Sequence, residues 1–322
     1  MRSSAATWAG VVLSACLGSG PAHAQSYPAR PVRIVVPFAP GGPNDILARV
    51  IGQKLTEAWG QQVIVENRAG GGTVIGTEVV AKSPPDGYNL LMVSTSHTSN
   101  PTLLPRLPFD TVKDLAPVIK VAYSANVLLA HPSLPARSVK ELLAVARSRP
   151  GQVTYASGGN GTSTHLAGEL LSQMGHVKML HVAYKGAGPA NIALLSGEIT
   201  WMFGNALPSV PLIRSGRVKA LAVTGVKRTP ALPDVPTLAD TLPGFEATSW
   251  YGISVQGGTP RDVIAKLNQD INRVLQMSDM RARLEAEGAE PSGGSPEEFG
   301  RFFRAEIDKW GKVIRAAGIK LE

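Results

Sequence analysis

The stretch Ser157-Gly-Gly-Asn-Gly-Thr-Ser-Thr-His165 joins a short apolar run to a segment whose apolar residues recur at helical spacing. Val153-Thr154-Tyr155 before it predicts a strand, and residues 166–171 after it predict a helix. A glycine-rich turn between a strand and a helix leaves backbone N–H groups free to point at one ligand, and the start of a helix favours negative charge. The stretch therefore predicts either an anion-binding loop or a tight turn with a helix cap, and the sequence leaves both open.

Strands alternate with helices along nearly the whole chain, which predicts an α/β fold with mostly parallel sheets. Two long amphipathic helices are predicted at 261–277 and 296–317. Ligands in such folds bind beyond the carboxyl ends of the strands, and the loops there are polar and rich in small residues. They form two groups, which predicts two lobes facing one cleft. The loops are 37–45 and 94–100 in the first group, and 157–165, 184–189 and 204–209 in the second.

The first 24 residues have the pattern of a signal peptide. Arg2 provides the positive charge, residues 5–17 are apolar, and Ala22-His23-Ala24 forms a cleavage site before Gln25. A rival pattern ends at Cys16 and fits a lipoprotein, in which the cysteine becomes the lipidated first residue. Both patterns export the chain across a bacterial inner membrane. We therefore expect a periplasmic protein, with cleavage after Ala24 favoured over lipidation of Cys16.

Composition and motif content exclude several classes of protein. The chain has 32 Lys and Arg against 24 Asp and Glu, a net charge of +8, or 31 − 24 = +7 once Arg2 is removed. No basic run exceeds two residues, so we expect no nucleic-acid partner. Cys16 is the only cysteine and no His-x-x-x-His pair occurs, so we expect no metal. There is no P-loop, and a dinucleotide motif opening at Gly70 lacks its third glycine, so we expect no cofactor.

A set of short motifs extends over the chain beyond residue 26. The motifs are Tyr27-Pro28, Pro31 to Phe38, Pro40-Gly41-Gly42, Asp45, Ala48-Arg49, Val65 to Arg68, Pro85 to Tyr88, Asn100-Pro101, Leu107 to Asp110 with Asp114, Gly161 with His165-Leu166-Ala167, Tyr184-Lys185-Gly186 and Asp234 to Thr237. Each motif is weak alone. Together they resemble the Bug family, the extracytoplasmic solute receptors of tripartite tricarboxylate transporters, over essentially all of the chain after the signal peptide.

The resemblance implies a two-lobed periplasmic binding protein of a type II-like fold, with the ligand cleft between two Rossmann-like domains. The chain would cross between lobes near residues 124 and 247. Domain 1 would then comprise 25–124 and 248–322, and domain 2 would comprise 125–247. Known family ligands imply a small carboxylate, which is a di- or tricarboxylate, an acidic amino acid or an aromatic acid. The resemblance further implies delivery to the membrane subunits of a transporter, and we expect a monomer that is not an enzyme.

Family members tend to hold a ligand carboxylate by loop backbone, hydroxyls and water, which agrees with polar loops whose only charged groups are Asp45 and Lys185. The residues that we expect at the ligand are Phe38, Ala39, Gly41, Gly42, Asn44, Asp45, Thr95, His97, Ser157, Gly159, Asn160, Gly161, Thr162, Ser163, His165, Lys185, Gly186 and Asn205. Some have a structural alternative. Asp45 fits a helix N-cap better than a ligand contact, His97 and His165 fit buried structural histidines equally well, and Lys185 fits a solvated loop better. We assign the glycines of 69–72 to chain geometry.

The rival class is a secreted α/β hydrolase-like enzyme acting on a small carboxylate or ester. Gly161-Thr162-Ser163-Thr164-His165 resembles a nucleophile elbow, but a histidine stands where that motif requires its last glycine. A third class is a secreted scaffold or interaction module. It does not explain why polar loops follow the strands so regularly.

Overall fold

The computed structural model describes residues 27–319, and it has an α/β fold in which the strands form one continuous sheet. The strands are β1 (Val32–Val36), β2 (Val63–Asn67), β3 (Asn89–Ser94), β4 (Leu115–Ala130), β5 (Thr154–Ser157), β6 (Leu180–Ala183), β7 (Trp201–Asn205), β8 (Lys219–Val223), β9 (Thr248–Gln256) and β10 (Ala289–Pro291). Their order is β2-β1-β3-β9-β4-β7-β5-β6, and β8 and β10 also pair with β4. The expected signal peptide and Cys16 lie outside the described residues.

Helices cover the sheet and begin mostly just after its strands. They are α1 (Pro43–Trp59), α2 (Val74–Ala81), α3 (Thr95–Leu103), α4 (Val139–Ser148), α5 (Ser163–Met174), α6 (Ala187–Ser196), α7 (Ala206–Arg214), α8 (Arg261–Gln276), α9 (Ser278–Ala286) and α10 (Pro296–Ala317). The two long helices that the sequence predicts are α8 and α10, whereas α9 and β10 are not predicted. Within residues 27–319, every helix is too short or too polar to cross a bilayer.

The sheet is parallel at both ends and antiparallel in the middle. Strand β1 pairs in parallel with β2 and β3, and β5 pairs in parallel with β6 and β7. Strand β9 runs antiparallel to β3 and β4, and β4 runs antiparallel to β7 and β8. The prediction of mostly parallel pairing is therefore wrong for the centre. Parallel neighbours need a crossover connection, usually a helix, and the chain reaches β9 from the other half of the sheet instead.

Strands β4 and β9 link the two halves of the sheet. Up to Ala125, β4 pairs with β9, and from Asn126 onwards it pairs with β7 and β8. Most of the buried apolar side chains form separate clusters, one around Ile34 and Ile253 and another around Trp201. The predicted boundaries near residues 124 and 247 stay a prediction, although the exchange of strand partners lies at the first of them.

Residues 94–100 do not form the loop that the sequence predicts, because helix α3 begins at Thr95. The backbone N–H of Ser94, at the N-cap, donates to Nδ1 of His97 at 3.1 Å, which stabilises the first turn. All six residues from Thr95 to Asn100 are buried. The buried face of this helix is polar, so apolar residues do not recur along it at helical spacing. That recurrence is the sequence pattern by which helices are usually predicted.

Candidate functional site

Five helices begin around one small cavity at the ends of the strands. Their N-caps are Gly42 for α1, Ser94 for α3, Thr162 for α5, Gly186 for α6 and Asn205 for α7. Three of these helices come from the second half of the sheet, and two come from the first. The cavity therefore lies between the two groups of polar loops that the sequence singled out.

This inner cavity has a volume of about 30 Å³, and among the described residues none that lines it has a charged side chain. It is lined by Phe38, Gly42, Pro43, Asn44, Ser94, Thr95, Gly158, Thr162, Ser163, Thr164, Ala187, Asn205, Ser249, Trp250 and Tyr251. The positive end of each helix dipole is equivalent to about half an elementary charge. Five such ends facing one volume attract an anion without any ion pair.

Three buried polar atoms at the inner cavity have no hydrogen-bond partner in the described part of the chain. They are Oδ1 of Asn44, Oγ1 of Thr95 and the hydroxyl of Tyr251. Their side chains are between 2% and 5% exposed. A buried polar atom without a partner costs free energy, and native proteins pair nearly all of them. These atoms are therefore positioned for a partner that residues 27–319 do not provide.

The floor of the inner cavity is a network of amide and hydroxyl groups at the point where the halves meet. Oδ1 of Asn126, on β4, accepts hydrogen bonds from Nδ2 of Asn205 at 2.9 Å and from the hydroxyl of Ser249 at 2.7 Å. The hydroxyl of Ser163 lies 2.5 Å from that of Ser249. This network joins the starts of α5 and α7 to the two linking strands.

A second, outer cavity of about 190 Å³ adjoins the first, and Phe38, Gly158 and Thr162 line both. The full lining of the outer cavity is Pro37, Phe38, Gly70, Gly71, Gly72, Thr73, Gly158, Gly159, Asn160, Thr162, Ala183, Tyr184 and Lys185. The glycine run that the sequence analysis assigned to chain geometry thus forms one wall of the cleft.

The loop before α1 is held by Asp45. Its Oδ2 accepts the backbone N–H of Gly41 at 3.0 Å, its Oδ1 accepts Nδ2 of Asn67 at 3.0 Å, and Arg49 lies 2.9 Å from the carboxylate. Burial acts to raise the pKa of Asp45, but these hydrogen bonds outweigh it and hold the pKa below its usual range. The N-cap is Gly42 and not Asp45, because Pro43 occupies the first helical position.

Many polar groups of the loop Ser157–His165 form hydrogen bonds within the protein. The hydroxyl of Thr162 donates to the carbonyl of Gly159 at 2.6 Å and accepts the backbone N–H of His165 at 3.3 Å, so Thr162 caps α5. The carbonyl of Gly161 accepts the hydroxyl of Ser99 at 2.7 Å, and its N–H donates to Nδ1 of His165 at 3.2 Å. The helix-cap interpretation is confirmed. The loop also lines both cavities, and its binding of an anion stays a prediction.

The loops of the two halves touch across the cleft. The backbone N–H of Ala39 donates to the carbonyl of Lys185 at 2.9 Å. A Cβ atom added at Gly186 would lie 3.3 Å from that N–H, and one added at Gly188 would lie 2.1 Å from the carbonyl oxygen of Pro40. This approach is close enough to require glycine at position 188.

Two buried histidines, His97 and His165, and the half-buried His181 brace these loops from behind. His97 Nε2 lies 3.0 Å from the hydroxyl of Thr77, and His181 Nε2 lies 2.6 Å from that of Ser157. The rings of His165 and His181 stack with centroids 4.1 Å apart. Burial lowers the pKa of His97 and of His165 to about 4, and it lowers the pKa of His181 to about 3. All three imidazoles are therefore neutral in the folded protein near pH 7.

We expect the free energy of unfolding to fall as the pH drops from about 6.5 towards 4, by up to about 1.4 kcal/mol per pH unit for each buried histidine. The unfolded chain takes up these protons near pH 6.5, whereas the folded chain resists them until about pH 4. Urea unfolding at several pH values measures the slope. His165→Asn should flatten it. A slope that is the same in the variant and the wild type would contradict neutral burial.

The site lacks the arrangement of a serine hydrolase. The hydroxyl of Ser163, the central residue of the elbow-like motif, bonds to Asn126 and Ser249, and neither is a base. His165 accepts from Gly161 and does not reach Ser163. Ser157 does contact His181, but Ser157 is fully buried. Residues 27–319 contain no group of three or more potential metal ligands.

The structure brings ten of the predicted site residues to the two cavities. These are Phe38, Gly42, Asn44, Thr95, Gly159, Asn160, Thr162, Ser163, Lys185 and Asn205. The other eight lie behind the cavities or at the loop contacts, and their assignment to the ligand stays a prediction without this geometric support. These are Ala39, Gly41, Asp45, His97, Ser157, Gly161, His165 and Gly186.

Sequence reasoning missed several lining residues. Ser249, Trp250 and Tyr251 lie on β9, where side chains from a strand and not from a loop reach the inner cavity. The glycines at 70–72 follow β2, so the rule that ligands bind beyond strand ends would have found them. Tyr251 had no such signal, because only the antiparallel position of β9 at the centre of the sheet brings it to the cleft.

The fold and the cleft define the class of periplasmic solute-binding proteins. The chain belongs to the TctC family, described as the tripartite tricarboxylate transporter family receptor, whose model matches residues 47–319. It is 37% identical to the protein BugT of Bordetella pertussis over 316 residues, which covers 97% of both chains. The predicted Bug-family resemblance is thereby confirmed.

Solved structures of similar proteins have the same fold. The structure of R. palustris Rpa4515 with adipate has a TM-score of 0.88 and 37% identity, and the match covers 91% of this chain and 99% of that one. The structure of MatC from Rhodopseudomonas palustris with bound malate has a TM-score of 0.85 and 33% identity, covering 89% of this chain and 100% of that one. The predicted fold class of a two-lobed α/β periplasmic binding protein is confirmed.

Proposed function

We propose that this protein captures a small carboxylate in the inner cavity and delivers it to the membrane subunits of a tripartite tricarboxylate transporter. The observation that carries the proposal is the convergence of five helix N-termini on one uncharged cavity. Such a site favours an anion, and its donors are backbone N–H, hydroxyl and amide groups. Adipate and malate, bound by two similar proteins, belong to this class of solute.

Neutral donors suit a receptor because they hold the anion and also release it. A micromolar dissociation constant corresponds to about −8 kcal/mol, which a few charge-assisted hydrogen bonds and burial in the cleft can supply. The free hydroxyls of Thr95 and Tyr251 are the side-chain groups that we assign to this task.

Solute entry requires the two halves to separate. A volume of about 30 Å³ holds little more than one or two water molecules, so a carboxylate cannot enter the cleft as it stands. We propose hinge bending near residues 124 and 247, where β4 and β9 link the halves, with domain 1 formed by 25–124 and 248–322 and domain 2 by 125–247. The contact between Ala39 and Lys185 would break on opening.

The test is a thermal-shift and calorimetric screen of carboxylates that includes adipate and malate. We expect one-to-one binding, and stabilisation by about 2.7 kcal/mol when a solute is present at about 100 times its dissociation constant. NMR of the solute after incubation should show no turnover. Consumption of the solute by the pure protein would favour the hydrolase-like enzyme instead. A screen in which no carboxylate bound would contradict the proposed function.

We further propose that the chain is exported and acts as a monomer in the periplasm after cleavage following Ala24. Family membership supports export, and the small-x-small pattern at Ala22-His23-Ala24 supports the cleavage position. The intact mass of the protein recovered from the periplasm should equal that of a chain that begins at Gln25. A mass that includes an acylated Cys16 would make it a tethered lipoprotein instead.

A further inference from the structure

A small apolar cluster lies between the two halves of the protein, beside the cleft. It consists of Leu103, Leu166, Trp310 and Ile314, and all four side chains are at most 9% exposed. Leu166 lies in the first turn of α5, in the proposed domain 2, whereas Leu103 ends α3 and the other two lie on α10, in the proposed domain 1. We call these four side chains the seam, and the seam is separate from the cores of both halves.

Polar contacts continue the seam towards the cleft. The hydroxyl of Ser99, on α3, donates to the carbonyl of Gly161 at 2.7 Å. A Cβ atom added at Gly161 would lie 3.2 Å from Cδ1 of Leu103, which is closer than most Cβ contacts. Helix α3 of one half therefore packs directly against the loop that precedes α5 in the other half.

The seam is connected to the inner cavity but does not line it. Nε1 of Trp310 donates to Oε2 of Glu306 at 2.8 Å, and Nε1 of Trp250 donates to the same oxygen at 3.0 Å. Trp250 lines the inner cavity, whereas none of the four seam residues lines either cavity. A change in the seam can therefore act on a solute only through the positions of the two halves.

We propose that the seam determines solute affinity from outside the binding cavity, because the burial of Leu166 stabilises the closed form of the receptor. This inference rests on the proposed function, in which the halves separate for solute entry. Opening would withdraw Leu166 from the other three side chains and return apolar surface to water, which is unfavourable. A solute that is held only by the closed form binds more weakly when that form is less populated, by the factor by which its population falls.

Leu166→Ala should weaken the binding of adipate, malate and every other carboxylate that the wild type binds by one common factor, about tenfold. The factor is common because the substitution changes the population of the closed form and no contact to the solute. Leu166→Met keeps the apolar volume and should bind each acid almost like the wild type. Calorimetry with each acid measures these factors.

Trp310 provides a spectroscopic signal for the seam, since opening would expose a ring that is 4% exposed in the closed form. Saturating solute should shift the tryptophan emission of the wild type to shorter wavelength. Trp310→Phe should remove most of this shift, although Trp250 at the inner cavity is still present. A shift of unchanged size in Trp310→Phe would show that the seam stays buried in the open form, and would overturn the proposal.

The matched control is Leu171→Ala, on the same helix, because Leu171 is fully buried in the cluster around Trp201, within one half. It should lower the free energy of unfolding and leave solute affinity unchanged. Wild-type affinity in Leu166→Ala, or an equal loss of affinity in both variants, would overturn the role of the seam and leave the proposed function standing.

Small-angle scattering of the solute-free proteins distinguishes failure of the seam from failure of the proposed function. Leu166→Ala should have a larger radius of gyration than the wild type, because its open form is more populated. If the wild type bound no carboxylate, the proposed function would fail. An equal radius of gyration in the two proteins would then overturn the role of the seam as well, and a larger one in the variant would support that role alone.

Discussion

Replacing Gly188 by alanine is expected to weaken solute binding about 10- to 100-fold while the protein stays folded. The added Cβ would lie 2.1 Å from the carbonyl oxygen of Pro40, far inside van der Waals contact. The Pro40 loop cannot yield freely, because Asp45 holds the N–H of Gly41 and Ala39 bonds to Lys185. The halves would therefore be kept apart, and the helix N-termini would no longer converge on the solute.

The fold should survive because Gly188 has an ordinary backbone conformation within helix α6, where alanine is the better helix former. Gly161→Val is a less clean test. Gly161 has φ of +71°, so a side chain there adds backbone strain to its contact with Ser99. The matched control is Ile192→Ala, at a residue 69% exposed on the same helix.

Calorimetry with the best carboxylate, and urea unfolding without solute, measure the two effects separately. Gly188→Val should weaken binding further than Gly188→Ala, because a larger side chain separates the loops more. If Gly188→Ala bound the solute like the wild type, the loops would not approach this closely in the liganded protein.

Removing the hydroxyl of Tyr251 or Thr95 is expected to weaken binding about tenfold to a hundredfold without destabilising the protein. Neither hydroxyl meets the geometry of a hydrogen bond with a described residue, so Tyr251→Phe and Thr95→Val remove a desolvated group without breaking a well-formed bond. Burial raises the pKa of Tyr251 and outweighs the nearby Ser249 side chain, which acts to lower that pKa, so the phenol stays neutral and able to donate. The free energy of unfolding should be unchanged or higher.

Thr98→Val is the control, on the same helix as Thr95. The hydroxyl of Thr98 is fully buried but donates to the carbonyl of Thr95 at 2.8 Å. Its loss should destabilise the protein by about 1 kcal/mol and leave solute affinity unchanged, which is the opposite pattern. Solute affinity and the free energy of unfolding, measured on the same samples, distinguish a ligand-binding hydroxyl from a structural one. Thr95→Val behaving like Thr98→Val would show that its hydroxyl has a structural role only.

The hydroxyl of Thr162 shows why such tests need the structure. From the sequence, Thr162→Val removes one donor to the ligand and nothing else. In the structure the same hydroxyl caps α5 and bonds to Gly159, so the substitution would also cost stability. The hydroxyls of Thr95 and Thr162, at the starts of α3 and α5, differ only in what the rest of the chain places beside them.

Local patterns were sufficient for the fold class, and the set of family motifs was sufficient for the family. A glycine-rich loop between a strand and a helix marks the start of the helix in the sequence. Glycine permits the backbone conformation of the turn, and the first N–H groups of the helix have no partner within it, so both features depend only on residues close together in the chain. That is why ten of the predicted residues line the two cavities.

The sequence alone determined the α/β class and the polar loops that follow the strands, since those properties depend on periodicity and turn chemistry. Its family motifs, and not these local patterns, identified a family of solute receptors. Only the tertiary structure decided which polar groups remain free, that Tyr251 on β9 joins the site, and that Gly188 must meet Pro40. These three properties depend on contacts between segments far apart in the chain. The antiparallel centre of the sheet positions the two halves relative to each other, and that position decides which distant groups form a hydrogen bond or a steric contact. A local sequence pattern contains no information about such contacts.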